Sequence, residues 1–256
     1  MKVVYEPKGR AKEYSELACN WYMGCTHGCK YCFAPGCMRK KMEDWHSPDV
    51  AIRDKVVEAF RSDAERMYEN NDKRPILFSF LSDPYQPIED RYKITRRILR
   101  IVQQFGLKSK ILTKGTYELV KRDFDIIKAA KVELGVTVCF VDDELRKEWE
   151  PNAAPVDERF QILKEAHETG IYTWVSLEPV IDPEQALAVI RKAASYVNFW
   201  KVGKLNHMKE VEDKVDWHKF YVDVVALLDS LQAKYYIKED LKKYSQAADC
   251  RKKTNE

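Results

Sequence analysis

Cys25, Cys29 and Cys32 form a C-x3-C-x2-C run inside the segment CNWYMGCTHGCKYCFAPGC, which also carries Cys19 and Cys37. Spacing this tight lets several thiolates converge on one metal centre without closing a long loop. Three thiolates can hold three irons of a [4Fe–4S] cubane and leave the fourth iron open to a small molecule. Gly24 and Gly28 give the backbone freedom to wrap such a centre closely. Structural zinc is the rival metal reading, with Cys19, His27 or Cys37 as fourth ligand of a closed site. A lone cysteine is commonly a small buried hydrophobe; three at this spacing, flanked by glycines, point to metal. His27 is assigned no chemistry, and Cys250 is read as incidental.

Holding those residues requires a scaffold, and the rest of the chain alternates short β-rich runs with segments of helical period. The strand candidates are Leu17–Trp21, Ile76–Leu81, Lys110–Thr113, Leu134–Phe140, Tyr172–Leu177 and Asn198–Val202. Helix candidates lie at Asp49–Tyr68, Ile94–Phe105, Tyr117–Ala130, Val156–Thr169, Pro183–Ala194 and Trp217–Ala233. Ile94, Ile98, Ile101, Val102 and Phe105 recur at helical spacing. Ser47 or Asp49 is placed to cap the first helix, and Gly106 and Gly170 follow two others. Six strand-then-helix units imply a parallel sheet, either a partial or full barrel or an open doubly wound sheet. In each of these, function gathers at the C-terminal ends of the strands. The polar residues fall there: Ser82-Asp83-Pro84-Tyr85 after the second strand, Thr113-Lys114-Gly115 after the third, and Thr137 with Cys139 in the fourth. Glu178 ends the fifth, and Lys201 and Gly203 end the sixth.

The 256 residues suit a single domain with a large core, with 45% hydrophobic and 33% charged residues, too apolar for disorder. No apolar run is long enough to span a membrane. The start, MKVVYEPKGRAKEY, is too polar for a signal peptide, so the cytoplasm is the expected compartment. A net charge of +3 from 44 basic and 41 acidic residues neither demands nor excludes a nucleic-acid partner. The basic stretch from about residue 234 is expected as a C-terminal extension with a solvated face.

The cysteine run, with aromatics at Tyr31 and Phe33, resembles the cluster motif of the radical S-adenosylmethionine (SAM) superfamily. The stretches NWYMGCTHGCKYCFA, SDPYQPIEDRYKITRRIL, ILTKGTYELVKRDFDII and VSLEPVIDP are similar to its spore photoproduct lyase-like branch, over roughly residues 17 to 205. The resemblance implies an α/β partial (β/α)6 TIM-type barrel, a [4Fe–4S] cluster on Cys25, Cys29 and Cys32, and SAM as cofactor. It implies reductive cleavage of SAM to a 5′-deoxyadenosyl radical that abstracts hydrogen from a substrate, with flavodoxin or ferredoxin as reductant. Tyr31, Phe33, Ser82, Asp83, Lys114, Thr137 and Glu178 become the expected SAM contacts. Asp83, Lys114 and Thr137 also have blander readings. Asp-Pro suits a turn, most lysines are solvated, and a β-branched strand residue needs no ligand. Glu178 needs a partner if buried, such as Lys201, and Tyr85 and Gln86 are candidates to touch substrate or cofactor. Arg122-Asp123 reads as a local structural ion pair.

Two departures stand out. SDPYQ replaces the Gly-Gly-Glu that many superfamily members use for the SAM amino group. The branch's hydrogen-donating cysteine, expected by the second strand, is missing from Phe78–Asp83. The substrate is therefore not specified, nucleic acid or a nucleoside being one class the resemblance offers. The competing function is a zinc- or cluster-stabilised nucleic-acid-binding module without turnover, which metal identity and SAM cleavage distinguish.

Overall fold

A computed structural model of the chain describes residues 2–246, so Cys250 lies outside the described residues. Its main sheet is parallel, with seven strands in the order β1-β4-β5-β6-β7-β8-β9, curled into a half-barrel. The strands are β1 (Leu17–Ala18), β4 (Ile76–Phe78), β5 (Ser109–Thr113), β6 (Glu133–Thr137), β7 (Thr173–Val180), β8 (Phe199–Lys204) and β9 (Tyr235–Ile237). Two short strands, β2 (Tyr22–Met23) and β3 (Ala51–Ile52), form a separate antiparallel pair. The six expected strands are thus β1 and β4 to β8, each crossing over through helix to its parallel neighbour, and the partial TIM-type barrel is observed.

Period-two alternation gives the sheet two unlike faces. Ile76, Phe78, Ile111, Leu134, Val136, Val175, Leu177, Trp200 and Val202 join the main core with the covering helices. On the opposite face Leu77 and Trp174 pack with Tyr14, beside Leu112, Phe199 and Phe80. The helix Ile94–Phe105 buries Ile94, Ile98, Leu99, Ile101 and Val102 and ends where Leu107 N returns to Val102 O at 3.1 Å.

Several boundaries differ from expectation for local reasons. The helix expected from Asp49 begins at Val56, after Lys55 in the left-handed region. Asp49 N instead donates to Ser47 Oγ at 3.2 Å, and Ala51–Ile52 pairs with β2. Tyr117–Ala130 splits into Tyr117–Lys121 and Phe124–Ala129 around buried Asp123. That carboxylate accepts from Arg96 Nη1, Arg122 Nε and Tyr85 Oη at 3.0, 3.0 and 3.3 Å. The expected Arg122–Asp123 pair is therefore present within a larger buried set that includes Glu89 and Tyr22. The stretch after residue 234 is not a solvated face throughout: β9 pairs with β8, and Lys238 is buried.

Candidate functional site

The cysteine run occupies the loop that leaves β2. Gly28 sits at φ +66, a conformation side chains rarely adopt, and turns the chain between Cys25 and Cys29. Cys25 N donates to Trp45 O at 3.0 Å and Cys32 N to Cys29 O at 3.1 Å. Gln86 clasps the loop at two points: its Nε2 donates to Gly24 O at 3.0 Å and its Oε1 accepts Thr26 N at 3.1 Å. Gln86 is thus a structural tie of this loop. Cys25 and Cys29 are buried, Cys32 is half-buried, and Cys37 is exposed. Burial pushes the free thiol of Cys25 up to about 12 and that of Cys29 up to about 11.

Asp83 joins this loop to β5. Its Oδ1 accepts Thr113 Oγ1 at 2.6 Å and Tyr85 N at 2.8 Å, and its Oδ2 accepts Lys114 N at 2.6 Å. His27 is buried and lies 3.5 Å from the same carboxylate, and burial holds its pKa down at about 4. Ser82 Oγ donates to Tyr22 O at 3.1 Å. The Lys114 ammonium stands 5.7 Å from the centre of the Tyr31 ring. Burial opposes its charge, but Cys29, Glu150 and Asp83 outweigh that and raise its pKa. Tyr31 donates its hydroxyl to Glu150, which is ion-paired with Arg159, both buried.

The register extends the site across the sheet. Thr137, Ser176, Lys201 and Tyr236 are consecutive cross-strand partners on β6, β7, β8 and β9. One step further along, Glu178 receives Lys238 Nζ at 2.6 and 2.7 Å and the hydroxyl of Tyr14. Gly203 makes room for this, since a Cβ there would approach Glu178 Cδ to 2.8 Å. Glu178 is therefore partnered by Lys238 and not by Lys201, whose ammonium bonds Glu13 O and faces the rings of Tyr14 and Tyr236. Burial raises the Glu178 pKa despite that pairing.

Residues 19–197 match the family model of the radical SAM superfamily. The chain belongs to that superfamily. An uncharacterized protein of Methanocaldococcus jannaschii is 30% identical over 86% of this chain and 82% of its own length. One of Acidianus two-tailed virus is 26% identical over 87% and 79%. Among solved structures, spore photoproduct lyase complexed with dinucleoside spore photoproduct superposes with a TM-score of 0.69 at 12% identity, covering 91% of this chain and 79% of that one. Streptococcus suis SuiB bound to SAM gives 0.63 at 14%, covering 85% and 49%. At such identities the two structures speak for the fold. Superfamily membership makes the chain a radical SAM enzyme working with a [4Fe–4S] cluster and SAM.

Three cysteines on one loop, Cys25 and Cys29 buried and Cys32 half-buried, are a donor set that fits the cluster of the radical SAM family. Among the described residues, no three His, Cys, Asp or Glu side chains converge on a single ion. A cubane meets each thiolate at a different iron, so it asks for three thiolates on one loop and not for their convergence on a single ion. Tyr31 and Lys114 come together beside the loop and Ser82 lies behind it, while Phe33 is half exposed. Thr137 is buried at the end of β6, and its carbonyl accepts Arg159 Nη1 at 3.1 Å. Glu178 belongs to the β7–β9 group. Sequence reasoning missed Glu150, Arg159, Tyr14 and Lys238. Arg159 carried a signal, because it sits on the apolar stripe formed by Val156, Phe160 and Leu163.

Proposed function

We propose that Cys25, Cys29 and Cys32 ligate the cluster and that Lys114 pairs with the SAM carboxylate. The observation that carries this reading is the state of Lys114. Its ammonium lies beside the cysteine loop and forms no ion pair among the described residues, whereas Arg159 and Lys238 are matched by Glu150 and Glu178. Asp83 already accepts three donors, so the carbonyls of the loop after β4 are the acceptors left for the SAM ammonium. Tyr31 and Thr137 flank the cofactor in this reading, and the packed half-barrel excludes water around it. When bound, the cluster and SAM supply a 5′-deoxyadenosyl radical able to abstract hydrogen from a substrate.

The electron comes from a small carrier such as flavodoxin or ferredoxin. Among the described residues no helix is long and apolar enough to cross a membrane. Free thiols and an oxygen-labile cluster suit the reducing cytoplasm, where we place the protein. Likeness to spore photoproduct lyase makes a nucleoside or nucleic acid the first substrate class to try. Anaerobic incubation with SAM and reductant should yield 5′-deoxyadenosine. Reconstituted protein that leaves SAM intact would refute the reading.

A further inference from the structure

The cysteine loop is braced from one side by the segment Trp149–Ala154. Lys30 N donates to Trp149 O at 2.9 Å, Asn152 N to His27 O at 3.1 Å, and Ala154 N to Lys114 O at 2.9 Å. Asn152 Nδ2 adds a bond to Thr26 O at 3.0 Å. Glu150 lies within that brace with 0% of its surface exposed, and its ion-pair partner Arg159 with 1%. Arg159 Nε donates to Ala154 O at 2.9 Å and Nη1 to Thr137 O at 3.1 Å. A buried ion pair is costly and often replaceable by apolar residues of similar volume, so its presence here invites a role beyond packing. The charge count offers one. Glu150 faces two cations, Arg159 and Lys114, and only Arg159 is paired with it.

We infer that Glu150 is a positioning residue for the radical SAM chemistry. It anchors Tyr31, and with it the turn between Cys29 and Cys32. It also sets a fixed negative charge beside the cluster, against which the Lys114 ammonium is held over the Tyr31 ring. This rests on the reading of Cys25, Cys29 and Cys32 as cluster ligands. A carboxylate at that place disfavours the more negative, reduced cluster, and the Lys114 cation favours it.

Three anaerobically reconstituted proteins test this: wild type, Glu150→Gln, and Lys114→Met. Glu150→Gln keeps an oxygen for Tyr31 and removes the charge. Iron is counted in each, and the reduced-to-oxidised ratio of the cluster is read by electron paramagnetic resonance at one fixed potential. With full iron, the ratio should rise roughly three- to tenfold in Glu150→Gln and fall in Lys114→Met. An unchanged ratio in iron-replete Glu150→Gln overturns the inference. Should that variant not fold, an unchanged ratio in Lys114→Met does so. Wild type without iron would instead overturn the cluster reading on which the inference stands.

Discussion

The amide of Lys114 donates to Asp83 Oδ2 at 2.6 Å, so the residue expected to take the SAM ammonium fixes the residue expected to take the SAM carboxylate. Asp83 thus acts through β5 and not as an open acceptor. Asp83→Asn puts an amide donor against at least one of the donors that the carboxylate now satisfies. Leaving one such buried donor unmet costs about 1–3 kcal/mol. We expect lower stability in urea unfolding together with weaker SAM binding. A loss of stability with unchanged SAM affinity would reduce Asp83 to a loop tie alone.

Metal analysis tests the three-thiolate reading directly. Wild type reconstituted without oxygen should carry close to four irons and four sulfides per chain, as a cubane requires. Replacing Cys25, Cys29 or Cys32 singly by Ala should abolish the cluster. Replacing Cys19 should not, because it is buried in the core packing between β1 and β2. Stoichiometric zinc in place of iron would refute the assignment.

Lys114→Ala removes a cation beside the loop that forms no ion pair among the described residues. A charge-assisted contact is worth roughly 1.5–3 kcal/mol, so SAM affinity should fall about tenfold or more. Titrating SAM into both reconstituted proteins reads this. Equal affinities would return Lys114 to a purely electrostatic role.

Lys201 gives a pH signature. Burial, with Lys110 and Lys238 adding to it, holds its pKa down at about 8. In the unfolded chain a lysine titrates near 10.4. Below about pH 8 both states are protonated and the burial cost is present in full. Between about 8 and 10.4 the unfolded state holds more protons, so this residue's contribution to stability rises with pH. Other groups titrate there too, and the difference between wild type and Lys201→Met cancels them. That difference should move in favour of wild type by about 3 kcal/mol from pH 7 to pH 10.5, at 1.36 kcal/mol per unit. A flat difference would mean that the ammonium's contacts with Glu13 O and two tyrosine rings fully offset its burial.

What was legible in the sequence was local. Ile94–Phe105 shows its apolar stripe and its terminal glycine, and its bounds come out as expected. The cysteine run carries its chemistry in its spacing. Glu150, Lys238 and Tyr14 were illegible because their partners lie far along the chain: Glu150 meets Tyr31, and Glu178 meets both Tyr14 and Lys238. Residue type alone reads Lys238 as one more lysine in a basic tail, and only β9 pairing with β8 brings it inward. The clasping role of Gln86 was illegible for the same reason, its two bonds reaching back to Gly24 and Thr26.

The last prediction concerns the reaction. Spore photoproduct lyase, as its branch is understood, returns a hydrogen atom to the product radical from a thiol by the second strand of the family barrel. Here that stretch is β4 and the turn after it, Phe78-Ser79-Phe80-Leu81-Ser82-Asp83, which holds no cysteine. The turn is also tightly tied, since Phe80 N and Leu81 N both donate to Asn20 Oδ1 at 2.9 Å. Cys139 is the nearest substitute in kind: it follows β6, is 1% exposed, and feels the charges of Glu150, Lys114, Arg159 and Glu178. Burial raises its pKa, which keeps it a neutral thiol and an inert core residue unless a radical reaches it. Cys37 is exposed, and nothing in the structure directs it inward. A net charge of +3 also offers little grip on a duplex. We therefore expect SAM cleavage without repair when DNA carrying the spore lesion is supplied to the reduced, reconstituted enzyme. Recovery of two thymines per lesion would overturn this, and loss of that repair in Cys139→Ala, with SAM cleavage intact, would then identify Cys139 as a donor moved from one strand to another.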